Sequence, residues 1–198
     1  MHQALSHRIN ILRSHLPFNK YRKNHIIFLT KLTYRPDKSL SFPHPFTTYS
    51  NSDHAGCIDT RRSTSGYVIK IGTGAVSWSS KKQVTVALSS TKAEYIASVA
   101  AGKEIIWMRT LFKELHFDVK NPSPMMMDNW SALAVIKNSE HHGQMKHIDI
   151  SHHWIWQVVK NKDVAVHYIP TGEMIADILT KALPWILVKW HHLGLGIM

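Results

Sequence analysis

The sequence is poor in cysteine, in acidic residues and in long apolar runs. The single cysteine, Cys57, excludes an internal disulfide framework and a multi-cysteine zinc site, and we expect no disulfide-linked partner. No run of 18 apolar residues and no cleavable secretory leader occurs, so we expect an intracellular protein without a membrane partner. Only 13 acidic residues oppose 24 Lys and Arg, and the net charge of +11 favours a polyanionic partner such as nucleic acid.

The excess positive charge is concentrated at the N-terminus. Residues 1–36 hold seven basic side chains and no acid. Such a segment can lie along phosphates, can act as an organelle transit peptide, or can be a stray extension of a truncated reading frame. Residues 34–45 contain three prolines and are typical of a linker. We therefore predict a basic extension with its linker over residues 1–45 and one domain over residues 46–198, in the cytoplasm, the nucleus or an organelle.

Hydrophobic periodicity in the second region predicts alternating strands and helices. The predicted strands are residues 46–51, 66–72, 75–79, 125–127 and 164–169, and the predicted helices are residues 92–116, 129–137, 147–160 and 173–183. Pro184 is expected to end the last helix, and Trp78 and Trp107 fall in apolar patterns typical of a core. Three leading strands followed by alternating units predict an α/β fold, with a mixed five-stranded sheet flanked by helices.

Three of the few acids lie at predicted element boundaries. Glu94 is early in the long helix, Asp128 follows the fourth strand, and Asp177 is near the start of the last helix. Acids at such positions can converge at one edge of an α/β sheet, and carboxylates are the ligands that Mg²⁺ prefers. Two such ions about 4 Å apart can activate a water molecule and stabilise the leaving oxygen when a phosphodiester is cleaved. A magnesium-dependent nuclease is therefore one chemical possibility.

Each of these acids also has a structural explanation. Thr91 and Glu94 fit a capping box, in which Glu94 would accept a backbone N–H at the helix start. Asp128 can cap the helix that follows it, and Asp177 can interact with a helix dipole. Composition and spacing leave both interpretations open.

Seven motifs occur in order along the predicted domain. They are YSNSDHAG at 49–56, DTRRSTSGY at 59–67, VSWSSKKQ at 76–83, ALSSTKAEY at 87–95, MDNWSA at 127–132, KHID at 146–149 and ADILTKALP at 176–184. Together they resemble the RNase H domain of copia-type retrotransposon polyproteins over roughly residues 47–195. The resemblance implies an RNase H-like fold, cleavage of the RNA strand of RNA/DNA hybrids, and two Mg²⁺ ions held by four carboxylates.

The resemblance also assigns site positions. It places the catalytic positions at Asn51, Glu94, Asp128 and Asp177, and the three acids among them are the expected metal ligands. Asn51 stands where the family motif has its first Asp, and its amide brings no negative charge. Asp53 is not expected to replace that acid, because it lies about 7 Å further along the strand and metal distances tolerate only tenths of an ångström. Our hypothesis is that hydrolysis is weak or absent in this copy.

Other departures from the family accompany Asn51. Lys92 stands where relatives usually have Glu, and Trp130 stands where they usually have Gln after Asp-Asn. Such changes are typical of relaxed constraint. Three functions therefore compete: a degenerate nuclease, a module that binds hybrid or other nucleic acid without cutting it, and a non-functional transposon relic.

Basic residues and histidines give the remaining candidates. The expected contacts to nucleic-acid phosphates are Arg61, Arg62, Lys81 and Lys82, which flank the predicted hairpin, with a solvated charged face as the alternative. The 15 histidines include three adjacent pairs, at 141–142, 152–153 and 191–192. Neighbouring side chains do not share a helix face, so we expect no zinc site from these pairs.

Overall fold

The structure of the protein, a computed structural model, describes residues 44–138 and 150–197. The strands are β1 (Thr47–Ser52), β2 (Thr64–Ile71), β3 (Gly74–Lys82), β4 (Ser123–Met127) and β5 (Val164–Tyr168). The helices are α1 (Ser90–Glu114), α2 (Trp130–Lys137), α3 (Ile150–Lys160) and α4 (Trp185–Gly194). Nearly all of the predicted N-terminal extension, the KHID motif and the start of the predicted helix 147–160 lie outside the described residues.

The five strands form one mixed sheet in the order β3-β2-β1-β4-β5. The neighbours β1 and β2, and β2 and β3, are antiparallel, whereas β4 is parallel to both β1 and β5. The β2–β3 hairpin closes through Gly72, whose φ of 57° lies in the left-handed region that glycine adopts without strain. This arrangement confirms the predicted α/β fold with a mixed five-stranded sheet flanked by helices.

The larger core lies between one face of the sheet and helices α1, α2 and α3. Its most deeply buried side chains include Tyr95 and Ile105 of α1 and Ile155 of α3. Helices α1 and α3 approach closely at Gly102, where a Cβ atom would come within 2.5 Å of Ile155 Cδ1. No helix among the described residues has the length and apolar content to cross a membrane.

A smaller core covers the opposite face. It joins Val68 and Ala75 of the hairpin to Met174, Ile175 and Leu195, which belong to the segments before and after α4. Neighbours across paired strands share a sheet face, so the pairing of Tyr49 with Val68 assigns Tyr49 to this smaller-core face. Because side chains alternate along a strand, Asn51 faces the same side.

The prediction of a final helix over residues 173–183 is wrong. Two short 3₁₀ helices, Thr171–Glu173 and Ile175–Leu179, occupy that region, and α4 begins only after Pro184. The carbonyl of Pro184 accepts hydrogen bonds from the backbone N–H groups of Leu187 and Val188. Pro184 thus lies at the start of a helix, where a missing N–H is harmless, and does not end one.

Other local expectations are also corrected. Ser89, and not Thr91, caps α1, because its Oγ accepts from the Lys92 backbone N–H at 3.2 Å. Asn129, and not Asp128, caps α2, because its Oδ1 accepts from the Ala132 backbone N–H at 3.0 Å. Glu94 and Asp128 therefore do not cap these helices.

The two tryptophans expected in the core are not buried. Trp78 and Trp107 are each 49% exposed. The apolar patterns that contain them continue over the outer surfaces of β3 and α1, so periodicity alone misassigned both side chains.

Candidate active site

One row of residues across three strands forms the floor of the site. Asn51 of β1 pairs with Gly66 of β2, which pairs with Ser80 of β3. The 3₁₀ segment Ile175–Leu179 crosses this row, and Ser80 Oγ donates to the Leu179 carbonyl oxygen at 2.6 Å. The strand register therefore fixes where the segment carrying Asp177 lies.

Gly66 allows the segment to approach the sheet. A Cβ atom at this position would lie 2.7 Å from Thr180 Cγ2 and 3.0 Å from Leu179 Cβ. Any side chain here would push the segment outward. The close approach brings Asp177 directly over Asn51.

Asn51 and Asp177 form a buried amide–carboxylate pair. They are 2% and 4% exposed, and Asn51 Nδ2 donates a hydrogen bond to Asp177 Oδ1. The second oxygen, Asp177 Oδ2, lies 2.8 Å from Lys181 Nζ in an ion pair whose lysine side chain is exposed. Both oxygens of Asp177 are thus engaged by donors of this same chain.

Glu94 enters the pocket from the first turns of α1. Its Oε1 accepts from the Ser52 backbone N–H at 2.8 Å, and its Oε2 is buried with no hydrogen-bond partner among the described residues. The pKa of Glu94 is raised to about 8, chiefly by burial and further by the negative charges of Asp128 and Asp177. The hydrogen bonds from Ser52 oppose this rise.

Asp128 lies at the end of β4, where it is half-buried. A side-chain hydrogen bond links it to Thr171. Burial raises the pKa of Asp128 and the charge of Asp177 raises it further, while Thr171 and Lys181 oppose the rise. The structure therefore brings Asn51, Glu94, Asp128 and Asp177 into one pocket, and their catalytic roles remain a prediction.

The donor set does not complete the site that the resemblance implies. The unpartnered, buried Oε2 of Glu94 is the kind of oxygen that binds a hard cation. However, Asn51 contributes no charge, and the oxygens of Asp177 are already engaged. Over residues 44–138 and 150–197, no cluster of three or more His, Cys, Asp or Glu side chains has the geometry to hold a metal ion.

Asp53 has a different role from the missing acid. The strand β1 ends at Ser52, and the Asp53 carboxylate accepts a hydrogen bond from the Thr64 backbone N–H. The Asp53 backbone N–H in turn donates to the Thr64 carbonyl oxygen at 3.2 Å. Asp53 thus closes the base of the loop between β1 and β2.

The four basic candidates lie at the same end of the sheet as Asn51. Lys81 and Lys82 pair with Ser65 and Thr64, and Ser65 pairs with Ser52, the residue after Asn51. The loop that carries Arg61 and Arg62 is tied to β3, because Lys82 Nζ lies 2.9 Å from Cys57 Sγ. Lys81, Lys82 and Arg61 are exposed and Arg62 is partly exposed.

Two buried residues of the site were missed from the sequence. Gln83 donates from Nε2 to Ser65 Oγ and to the Ala93 carbonyl oxygen, both at 2.9 Å, and so fastens β2 to the start of α1. His191 of α4 is 2% exposed, and burial lowers its pKa, although the charge of Asp177 opposes this. Gln83 could have been found in the VSWSSKKQ motif, but His191 lies on a helix that the sequence did not predict.

Comparison with known proteins places the chain among transposon polyproteins. It is 44% identical over 136 residues to the retrovirus-related Pol polyprotein from transposon TNT 1-94 of Nicotiana tabacum, covering 69% of this chain and 10% of that protein. Its homologues are copia-type retrotransposon Pol polyproteins. Those from transposons RE2 and RE1 of Arabidopsis thaliana are 34% and 35% identical over 100% and 92% of this chain.

The chain spans only 10–13% of the length of these Pol polyproteins. The identification confirms the resemblance found in the motifs. No protein-family model matches the chain.

Solved structures show a weaker likeness. LC11-RNase H1 in complex with an RNA/DNA hybrid superposes with a TM-score of 0.45 at 15% identity, covering 68% of this chain and 93% of that one. RNase H1 from Halobacterium salinarum gives a TM-score of 0.41 at 15% identity, with the same two coverages.

Proposed function

We propose that this chain is an RNase H-like domain of retrotransposon origin that binds RNA/DNA hybrids and has weak or no Mg²⁺-dependent cleavage of the RNA strand. The observation that carries the proposal is the hydrogen bond from the Asn51 amide to Asp177 in a pocket shared with Glu94 and Asp128. A carboxylate at position 51 would need a cation or a retained proton to offset its repulsion with Asp177. The amide needs neither.

The electrostatics of the pocket support impaired metal binding. Two Mg²⁺ ions would depend on Glu94, Asp128 and Asp177, because these are the remaining acids of the four-carboxylate set. Lys181 already places a positive charge 2.8 Å from Asp177 Oδ2. Three carboxylates, one of them paired with lysine, give less attraction for two divalent ions than four free ones.

The placement of the basic side chains supports hybrid binding. Lys81 and Lys82 end β3 beside Ser65 and Thr64 in the strand register, and Ser65 pairs with Ser52, the residue after Asn51. Arg61 and Arg62 lie in the loop that leads into β2 at this same end of the sheet. Lys and Arg at such positions can contact backbone phosphates on either side of a bound strand. Binding through phosphates does not require the carboxylate set, so it can persist where cleavage has been lost.

The test is a cleavage assay with a labelled RNA strand in a hybrid, at millimolar Mg²⁺. Asn51→Asp is expected to cleave at least about tenfold faster than the wild type, because it restores the fourth acid. The matched control is the double variant Asn51→Asp/Asp177→Asn. It exchanges the amide and the carboxylate across the same hydrogen bond while keeping three acids, so it should remain as slow as the wild type.

The competing outcomes separate the other functions. Equal and robust Mg²⁺-dependent rates for the wild type and Asn51→Asp would overturn the claim of impaired hydrolysis. Hybrid binding by the wild type should weaken steeply with salt, and Arg62→Ala should reduce that salt slope. A folded wild-type chain that binds no hybrid at any salt concentration would instead favour the transposon relic.

A further inference from the structure

Two exposed aromatic rings stack on each other beside the acidic pocket. The ring centroids of Trp130 and Tyr168 are 4.2 Å apart, and the ring planes meet at 15°. Trp130 is 63% exposed and Tyr168 is 37% exposed. One face of the indole is thus covered by Tyr168, and most of its remaining surface is open to solvent.

The backbone explains why the rings meet at this edge. Strands β4 and β5 are parallel neighbours, with Met127 in register with Tyr168. Asp128 and Asn129 follow Met127, and Asn129 caps α2, whose first residue is Trp130. The helix start therefore brings Trp130 back over the end of β5, two residues after the Asp128 that faces the pocket.

The surroundings of the ring pair suit a small flat ligand better than a protein surface. Ser131, which follows Trp130 in the chain, is exposed and small, and so are Thr171 and Gly172, which come shortly after Tyr168. A stable protein–protein interface buries about 800 Å² on each partner, which is far more than two rings supply. A single aromatic ring, in contrast, can be covered completely by one further ring.

We propose that Trp130 and Tyr168 form a stacking platform for an unpaired base of a nucleic acid bound at the acidic pocket. This inference rests on the proposed function. The nucleic-acid strand that offers the unpaired base is the one whose phosphates the basic side chains would contact. The near-parallel pair can accept a third ring on the open face of Trp130, and aromatic stacking accommodates every base. The base must be unpaired because bases inside a duplex stack on one another.

The experiment compares three hybrids by fluorescence anisotropy: a blunt hybrid, one with a short single-stranded overhang, and one whose overhang is abasic. The abasic overhang keeps the phosphates and removes the bases. For the wild type, the base-containing overhang should bind tighter than the abasic one. Trp130→Ala should weaken binding of the base-containing overhang at least about fivefold and leave the other two hybrids within about twofold.

Further variants separate stacking from packing. Trp130→Leu keeps an apolar cover on Tyr168 but has no ring, so it should behave as Trp130→Ala, whereas Trp130→Phe should recover part of the affinity. Trp107→Ala is the matched control, since this tryptophan is 49% exposed on α1 about 20 Å along the helix from Glu94. The dependence of binding on salt should be unchanged in every Trp130 variant, because no phosphate contact is removed.

Three results would overturn the inference. The first is equal binding of the base-containing overhang by the wild type and Trp130→Ala. The second is an equal loss on the abasic overhang, which would show a contact to the backbone. The third is a wild type that binds no hybrid of any kind, and that result alone would overturn the proposed function as well.

Discussion

The apolar layer beneath α1, α2 and α3 depends on the volume of its side chains. The polar pocket at Asn51 depends on their charge. In the apolar layer, Tyr95, Ile105 and Ile155 fill space, so their volume and spacing matter. In the pocket, Asp and Asn have nearly the same shape, but only one of them carries a charge. A change between these two residues at position 51 can therefore preserve the fold and alter the charge of the pocket.

The largest expected effect lies in the apolar layer. Ile105→Ala should lower the free energy of unfolding by about 2–5 kcal/mol, because it leaves a cavity at a fully buried site on α1. The same substitution at Ile58, which is 87% exposed, should change stability by less than about 0.5 kcal/mol. Denaturant unfolding of both variants tests this difference, and similar losses at the two sites would contradict the burial that the structure assigns.

The next effect comes from the pocket and depends on pH. The pKa of Glu94 is raised to about 8 in the folded chain, whereas 4.5 is ordinary for this group, so the folded state retains its proton at neutral pH. The stability that this group contributes is fully present below about pH 4.5 and is lost as pH rises to about 8. Glu94→Gln cannot titrate, so we expect the variant to gain on the order of 3 kcal/mol relative to the wild type between these values.

Unfolding in denaturant over this pH range, without divalent cations, checks the prediction. Glu114→Gln is the matched control, because Glu114 lies on the same helix and is exposed. The control should follow the wild type at every pH. A difference between Glu94→Gln and the wild type that does not change with pH would show that the buried carboxyl has no raised pKa.

Long periodic elements could be predicted from the sequence, and short irregular ones could not. The 25-residue helix α1 and the hairpin strands follow from apolar spacing and glycine turns. The segment 173–183 has a helix-like composition, but its 3₁₀ turns are set by contacts with Gly66 and Ser80 on strands far away in sequence. Local propensity contains no information about those contacts, and so the final helix was misplaced.

In the candidate pocket, too, some features could be predicted from the sequence and others could not. The motifs supplied all four positions, including the amide at Asn51, but not what each side chain would contact. Lys181 lies inside the ADILTKALP motif, yet its ion pair with Asp177 depends on how the 3₁₀ segment turns. His191 could not be placed, because its burial depends on α4, which begins after Pro184.

We propose that the amide of Asn51 stands where the family motif has an acid, in a pocket that still holds Glu94, Asp128 and Asp177. The most direct measurement is the melting temperature of the wild type and Asn51→Asp, each with and without millimolar Mg²⁺. Without Mg²⁺, Asn51→Asp should melt a few degrees lower, since it adds a charge beside Asp177 and loses a hydrogen bond. With Mg²⁺ it should recover more than the wild type gains, because the ion binds the folded variant more tightly. An equal Mg²⁺-dependent rise in both proteins would contradict the account.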